Sequence, residues 1–247
     1  MDKSFANREV MNLTFVNYSD KKPFLKFDLA NVTGYDLDGE NVYATGGWGA
    51  PRRVTFSGQR QGSLRIETQM MCAKLYHLMT GAEIKDNAEW LHREELTADA
   101  DGKITLSKTP SGAVNVYELS DDAGTELDAT VSGNEVTVDG AASGDKLVAY
   151  YMTTLTNVTR LNINTKKWPA AMTVYGETYD KTEDDEIVPQ KFIAYKAVAQ
   201  PSLSCDFSNT GDPTTFELNM DLMVDAEGNL MDLIFDDELE SEEPENP

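Results

Sequence analysis

Histidine and cysteine are scarce: the 247 residues hold two of each. Cys72 and Cys205 are far apart in sequence and cannot build a structural zinc site unaided. They read as two small buried hydrophobes, kept reduced in a cytosolic chain. No stretch approaches the roughly 18 uninterrupted apolar residues that cross a bilayer. Residues Met1 to Val10 include Asp2, Lys3, Arg8 and Glu9 with no apolar segment behind them, so no secretory signal is expected. The chain is expected to be made and kept in the cytosol without membrane insertion. No nucleophile elbow, P-loop, glycine-rich dinucleotide motif or HExxH is present. His77 and His92 read as surface or boundary residues, and Cys72 has no base placed beside it. An enzyme is therefore not expected, nor any catalytic, cofactor-binding or metal-binding residue.

Positive charge is in short supply beyond the first third. Residues 1–93 carry 12 Lys/Arg against 11 Asp/Glu; residues 94–154 carry 3 against 12; residues 155–235 carry 6 against 13; and residues 236–247 carry none against 7. The total is −22. So acidic a surface repels phosphate, which disfavours ordinary nucleic-acid binding. Lys166-Lys167-Trp168 is the one basic spot beside an aromatic, and its neighbours are acidic.

What is abundant is strand signal. Leu13–Val16, Phe24–Phe27 and Asn41–Ala44 open the series. Arg53–Phe56 and Ser63–Ile66 alternate polar and apolar residues around Gly58 and Gly62, the pattern of a hairpin with one wet face. Turns are expected at Asp38-Gly39, Gly46-Gly47 and Gly49-Ala50-Pro51. One segment changes period: apolar residues at 71, 75, 78 and 82, with a second row at 72, 76 and 79, predict an amphipathic helix over about 70–81 that ends at Gly81. From about residue 97 short strands recur every ten residues or so (Lys103–Leu106, Ala113–Leu119, Glu126–Val131, Asn134–Val138, Lys146–Met152), as in a small β-sandwich-like module. Longer strands resume at Val158–Ile163, Ala170–Tyr179 and Glu186–Ala199, the last with an edge or bend at Pro189. Leu203–Phe207 and the alternating Phe216–Val224 follow. The fold class is mainly β, a barrel or sandwich with one short flanking helix.

Three Asp-Gly-type stretches, Asp36–Glu40, Asp99–Gly102 and Asp225–Gly228, look like pieces of calcium loops but lack the full spacing. They read as turns, because Asp caps its own backbone there. Glu183–Glu186 reads as a wet loop. Trp48, Trp90 and Trp168 are expected to be buried or at subunit contacts.

The stretch Val54–Gln69 running into the 70–81 helix, that helix with its Leu78-Met79-Thr80-Gly81-Ala82 exit, and the series Phe192–Ala197, Asp212–Leu218 and Asn229–Ile234 together resemble bacteriophage tail tube proteins of contractile tails. Val114–Tyr117 and Lys146–Tyr151 resemble the immunoglobulin-like modules that decorate phage structural proteins. The charge shift near residue 97 reads 97–154 as an insertion, immunoglobulin-like by the resemblance, into a discontinuous tube-like domain (1–96 and 155–235), and the like-charge run 236–247 reads as a mobile acidic tail. The resemblance implies six copies per ring, rings stacked into a virion tail tube, and DNA passing through the lumen without specific binding. Implied partners are further copies of the chain, with tail sheath, baseplate and tail terminator proteins. The alternatives are a head decoration or minor capsid protein and a carbohydrate-binding β module.

Overall fold

In the computed structural model residues 4–235 are described, and the acidic segment expected to be mobile, 236–247, lies outside them. The described chain runs through β1 (Phe5–Ala6), β2 (Asn12–Asn17), β3 (Pro23–Phe27), β4 (Val32–Thr45), β5 (Arg52–Thr68) and α1 (Ala73–Thr80). It continues through β6 (Glu83–Thr97), β7 (Lys103–Thr105), β8 (Val114–Glu118), β9 (Glu126–Leu127), β10 (Ala129–Ser132), β11 (Glu135–Val138) and β12 (Lys146–Asn162). It closes with β13 (Ala171–Thr182), β14 (Ile187–Ala199), β15 (Phe216–Met223) and β16 (Met231–Phe235). The β-rich reading with one helix holds. No sheet closes on itself, so the barrel half of the expectation is replaced by open sheets.

Two compact units form: one from residues up to Glu83 together with those from Leu161 onward, the other from Ile84 to Arg160. The first is a nine-stranded sheet in the order β3-β2-β13-β14-β15-β5-β4, with β1 beside β13 and β16 beside β14. One face of it alternates Leu13 and Phe15, Leu64 and Ile66, Met172 and Val174, and Leu218, Met220 and Leu222 into a single core. The helix α1 covers that face with Leu75, Leu78 and Met79. Each such side chain contributes about 1.5–3 kcal/mol on burial, the driving force that flattens the helix onto the sheet. Gly81 ends the helix with φ 69°. A Cβ there would sit 2.4 Å from the Trp168 carbonyl carbon, so both the turn and the packing demand glycine.

The second unit stacks a three-stranded sheet, β10-β11-β7, against a four-stranded one, β6-β12-β8-β9. Ile104, Val116, Val136, Leu147, Ala149 and Tyr151 fill the space between. The segment 97–154 expected as an insertion falls inside this unit.

Several local expectations are corrected. Arg53–Phe56 and Ser63–Ile66 are not two strands of a hairpin but parts of one continuous strand, β5. Gly58 turns nothing: a Cβ at that position would meet the Glu40 carbonyl oxygen at 2.7 Å, so glycine is there for close strand approach beside a register shift. The true hairpin pairs β4 with β5 through the 46–51 turn. Asp38-Gly39 therefore lies within a strand. Leu203–Phe207 forms no strand and leaves Phe207 exposed. Val158–Ile163 is not separate but largely the end of β12. Pro189 sits within β14, just past Gln190, which faces the last described β16 residue, Phe235. On its other side Pro189 pairs with Tyr179 of β13. Cys72 is exposed and Cys205 half-buried, not buried. Cys72 occupies the helix N-cap, its carbonyl accepting from the Leu75 and Tyr76 amides, and that position faces outward.

Candidate functional site

The carboxylates that resemble calcium-loop fragments are held by their own backbone. Asp99 accepts 2.9 Å bonds from the amides of Asp101 and Lys103, which hold its carboxyl below the usual range. Asp225 accepts from Glu227 and Asn229; burial pushes its carboxyl up, but those donors outweigh it and the net direction is down. At Glu183–Glu186 the chain turns between β13 and β14, tied by the Thr182–Glu186 backbone bond and a 2.7 Å Lys181–Asp185 ion pair. The basic spot is also engaged: Lys167 pairs with Glu83, and Trp168 is exposed beside it.

His77 bonds the Ala82 carbonyl through Nδ1 at 2.6 Å and packs against Phe24, so it fastens the helix exit. His92 belongs to a cluster that sequence spacing hid. Ser107 Oγ lies 3.5 Å and Glu94 Oε2 4.0 Å from its ring, and the ring meets buried Tyr151 edge-on. The grouping brings a hydroxyl, an imidazole and a carboxylate together. Both partners, however, approach the same nitrogen, Nε2, whereas a relay needs the acid on one ring nitrogen and the nucleophile on the other. Glu94 instead accepts from the Tyr151 hydroxyl at 2.6 Å and the Ser107 amide at 3.0 Å. Burial pushes its carboxyl up; those bonds outweigh it and hold it down. The cluster joins the second unit's core through Tyr151. On the other face of that sheet, Asp122 is held below the usual range by the Tyr150 hydroxyl and the Arg93 guanidinium.

One polar group inside the first unit is buried without full satisfaction. Asp180 accepts from Asn7 Nδ2 at 2.9 Å through Oδ1, while Oδ2 has no partner among the described residues.

The feature with the most unspent chemistry is the β4–β5 hairpin. From Asp36 to Gln61 every residue is exposed except half-buried Tyr43 and Gly46, so this stretch leaves the core-backed sheet as a bare two-stranded ribbon. Such a ribbon alone is marginal in water. Val42 faces Phe56 and Ala44 faces Val54, which places four apolar side chains together on one side. Trp48 projects fully exposed from the turn. Nearer the base, Asp36 faces Ser63, Asp38 faces Gln61, and Asp221 of β15 faces Ser63 from the other side. These residues line a groove of about 400 Å³ on the sheet face away from the core. On that face Glu67 and Glu217 share the single guanidinium of Arg65, and Asp36, Asp38, Glu40 and Asp221 have no cation beside them among the described residues. Among the described residues the edge of β4, fourteen residues long, carries no partner strand, and β3 forms the opposite edge.

Open edges, a bare ribbon and an acidic face are the surfaces the described chain leaves uncovered. A comparison with protein families matches residues 7–233, most of the chain and both of its compact units. The chain belongs to the YomU/Tube protein family. Membership makes it a phage tube structural protein and a component of the virion. No curated protein matches it. Among the described residues the β4 edge and the hairpin are the surfaces that the chain's own core does not cover. Neither could be read from motifs, because exposed strands and wet strands share one sequence pattern. The clue that was available is Val54 and Phe56 placed between arginines, apolar residues with no buried counterpart at 58 or 60. No described helix is long and apolar enough to cross a membrane.

Proposed function

We propose that this chain is the repeating subunit of a phage tail tube, non-enzymatic, with six copies closing into a ring and rings stacking into a contractile tail's inner conduit. The observation that carries the reading is the nine-stranded sheet whose two lateral edges have no partner among the described residues, one of them the fourteen-residue β4. Edges of that length are an aggregation liability unless ring closure pairs them with a neighbour. The hairpin, apolar on one side and crowned by Trp48, then serves the contact between rings. The face bearing Asp36, Asp38, Glu40, Glu217 and Asp221 lines the lumen, where like charge lets DNA slide without adhering. The second unit, immunoglobulin-like in this reading, decorates the tube, and sheath, baseplate and terminator proteins are the further partners.

All three tryptophans are exposed in the single chain, which suits burial in an assembly at Trp48. They stand on separate elements: the hairpin turn, β6, and the segment between β12 and β13. A shared carbohydrate platform therefore has no observation behind it.

Negative-stain microscopy of the purified chain at rising concentration tests the reading. Rings or hollow tubes about one subunit thick at the wall are expected. Only dispersed monomers, at every concentration and in the presence of preformed tube seeds, would overturn it.

A further inference from the structure

The projecting hairpin carries its acids on β4 and its cations on β5. Arg52, Arg53 and Arg60 are all exposed, and no Asp or Glu stands between Arg52 and Ile66 in the sequence. Among the described residues none of the three makes an ion pair. Arg52 lies over the Tyr43 ring at 3.9 Å, and Arg53 donates to the Gly46 carbonyl at 3.1 Å. Guanidinium groups so placed keep most of their donors for a carboxylate, which they bind as a planar fork.

A complementary segment exists in the same chain. Twelve residues follow Phe235, seven of them acidic and none basic. Where they start matters. Strands β14 and β5 both run antiparallel to β15 and hence parallel to each other, and β16 occupies the slot beside β14 that β15 has vacated. The hairpin and the end of β16 therefore leave the sheet at the same end. Counting residues at roughly 3.3 Å each from the level where Leu222 faces both Gly62 and Ala197, Arg52 lies on the order of 10 Å beyond Phe235 along the strand direction. Twelve extended residues reach about 40 Å.

We propose that the hairpin edge bearing Arg52, Arg53 and Arg60 is the docking surface for the chain's own acidic segment, residues 236–247. The tether holds seven carboxylates near three guanidinium groups at a millimolar-scale effective concentration, which a separate molecule does not match in dilute solution. The acidic segment then covers the hairpin of the unassembled subunit and leaves when a neighbouring copy claims that surface. The second consequence rests on the tube reading; the contact itself does not.

The test uses the full chain with Cys72→Ser and Cys205→Ser, plus Trp48→Cys in the hairpin turn and Glu242→Cys in the acidic segment, oxidised at low micromolar concentration. A disulfide within single chains is expected in most molecules, read by intact mass and non-reducing gel. Its yield should fall several-fold when NaCl rises from about 0.05 M to about 0.5 M, because screening weakens exposed charge pairs. Adding Arg52→Glu, Arg53→Glu and Arg60→Glu should lower it comparably. No intrachain bond, a yield indifferent to salt and charge reversal, or bonds only between chains would overturn the proposal. Negative-stain images of the wild-type chain judge the tube reading separately, since missing rings would sink that reading and leave the disulfide result standing.

Discussion

The two compact units solve the same problem in opposite ways. The unit from Ile84 to Arg160 wraps two small sheets around Val116, Val136, Leu147 and Tyr151 and leaves no strand longer than its own core except the outer reaches of β6 and β12. The other unit builds a larger core and then runs β4 and β5 well beyond it. In β5 the contrast falls within a single strand: Leu64, Ile66 and Thr68 are buried, while everything from Arg52 to Gln61 is exposed. Burial in one half and bareness in the other separates the part of the strand that the chain's own core covers from the part it leaves bare.

The largest test of that contrast removes core from each unit in turn. Phe192→Ala should destabilise the sheet unit by about 3–5 kcal/mol, and Leu147→Ala the sandwich unit by about 2–5 kcal/mol. In calorimetry each should move its own transition and spare the other. A single transition that shifts with both would show that the units do not unfold separately. Next in size, Gly81→Ala forces a left-handed conformation on a residue with a Cβ and adds a clash with the Trp168 carbonyl. A loss of at least about 1–2 kcal/mol is expected, confined to the sheet unit's transition.

Acid offers a smaller and more selective probe. Glu89, Glu94, Asp99 and Asp122 of the sandwich unit all sit below their ordinary range, against Asp185 and Asp225 in the sheet unit. Lowered carboxyls mean that the unfolded chain takes up protons first. Their stabilisation is present above the ordinary carboxylate range near pH 4 and is lost as pH falls through the folded values. The sandwich transition should therefore decline more steeply than the sheet transition between about pH 5 and pH 2. Equal decline would remove the distinction. Smallest of all, Trp48→Ser should leave both transitions within about 0.5 kcal/mol, since the ring touches nothing in the single chain, yet lower the yield of assemblies.

Legibility in the sequence followed burial. The helix announced itself through Leu75, Leu78 and Met79 because a one-sided stripe leaves a 3.6-residue period, and Gly81 marked its end. Phe216–Met223 was clear because one face is core and the other wet. The short strands around Val116 and Val136 were legible for the same reason. By contrast, β6 passed unnoticed: Glu83–Thr97 is wet on both faces for most of its length, so no alternation remains to be read. Gly58 and Gly62 suggested turns because spacing cannot tell a glycine that bends the chain from one that admits a neighbouring carbonyl or leucine. The Ser107–His92–Glu94 cluster depends on the bend after β7 folding back onto β6, with the Ser107 amide donating to Glu94 thirteen residues away. The hairpin was the least legible, because residues 36–61 have almost no buried face to imprint a period on the sequence.

Hydrogen exchange across assembly bears most directly on the central claim. In the unassembled chain the amides of residues 36–61 should exchange fast, with the β8 and β12 core amides of the sandwich unit slow. In assembled material the hairpin should become protected by at least tenfold while those sandwich amides stay as they were. Hairpin exchange that remains equally fast in assemblies would contradict the account, because the bare half of β5 would then not be the surface another copy covers.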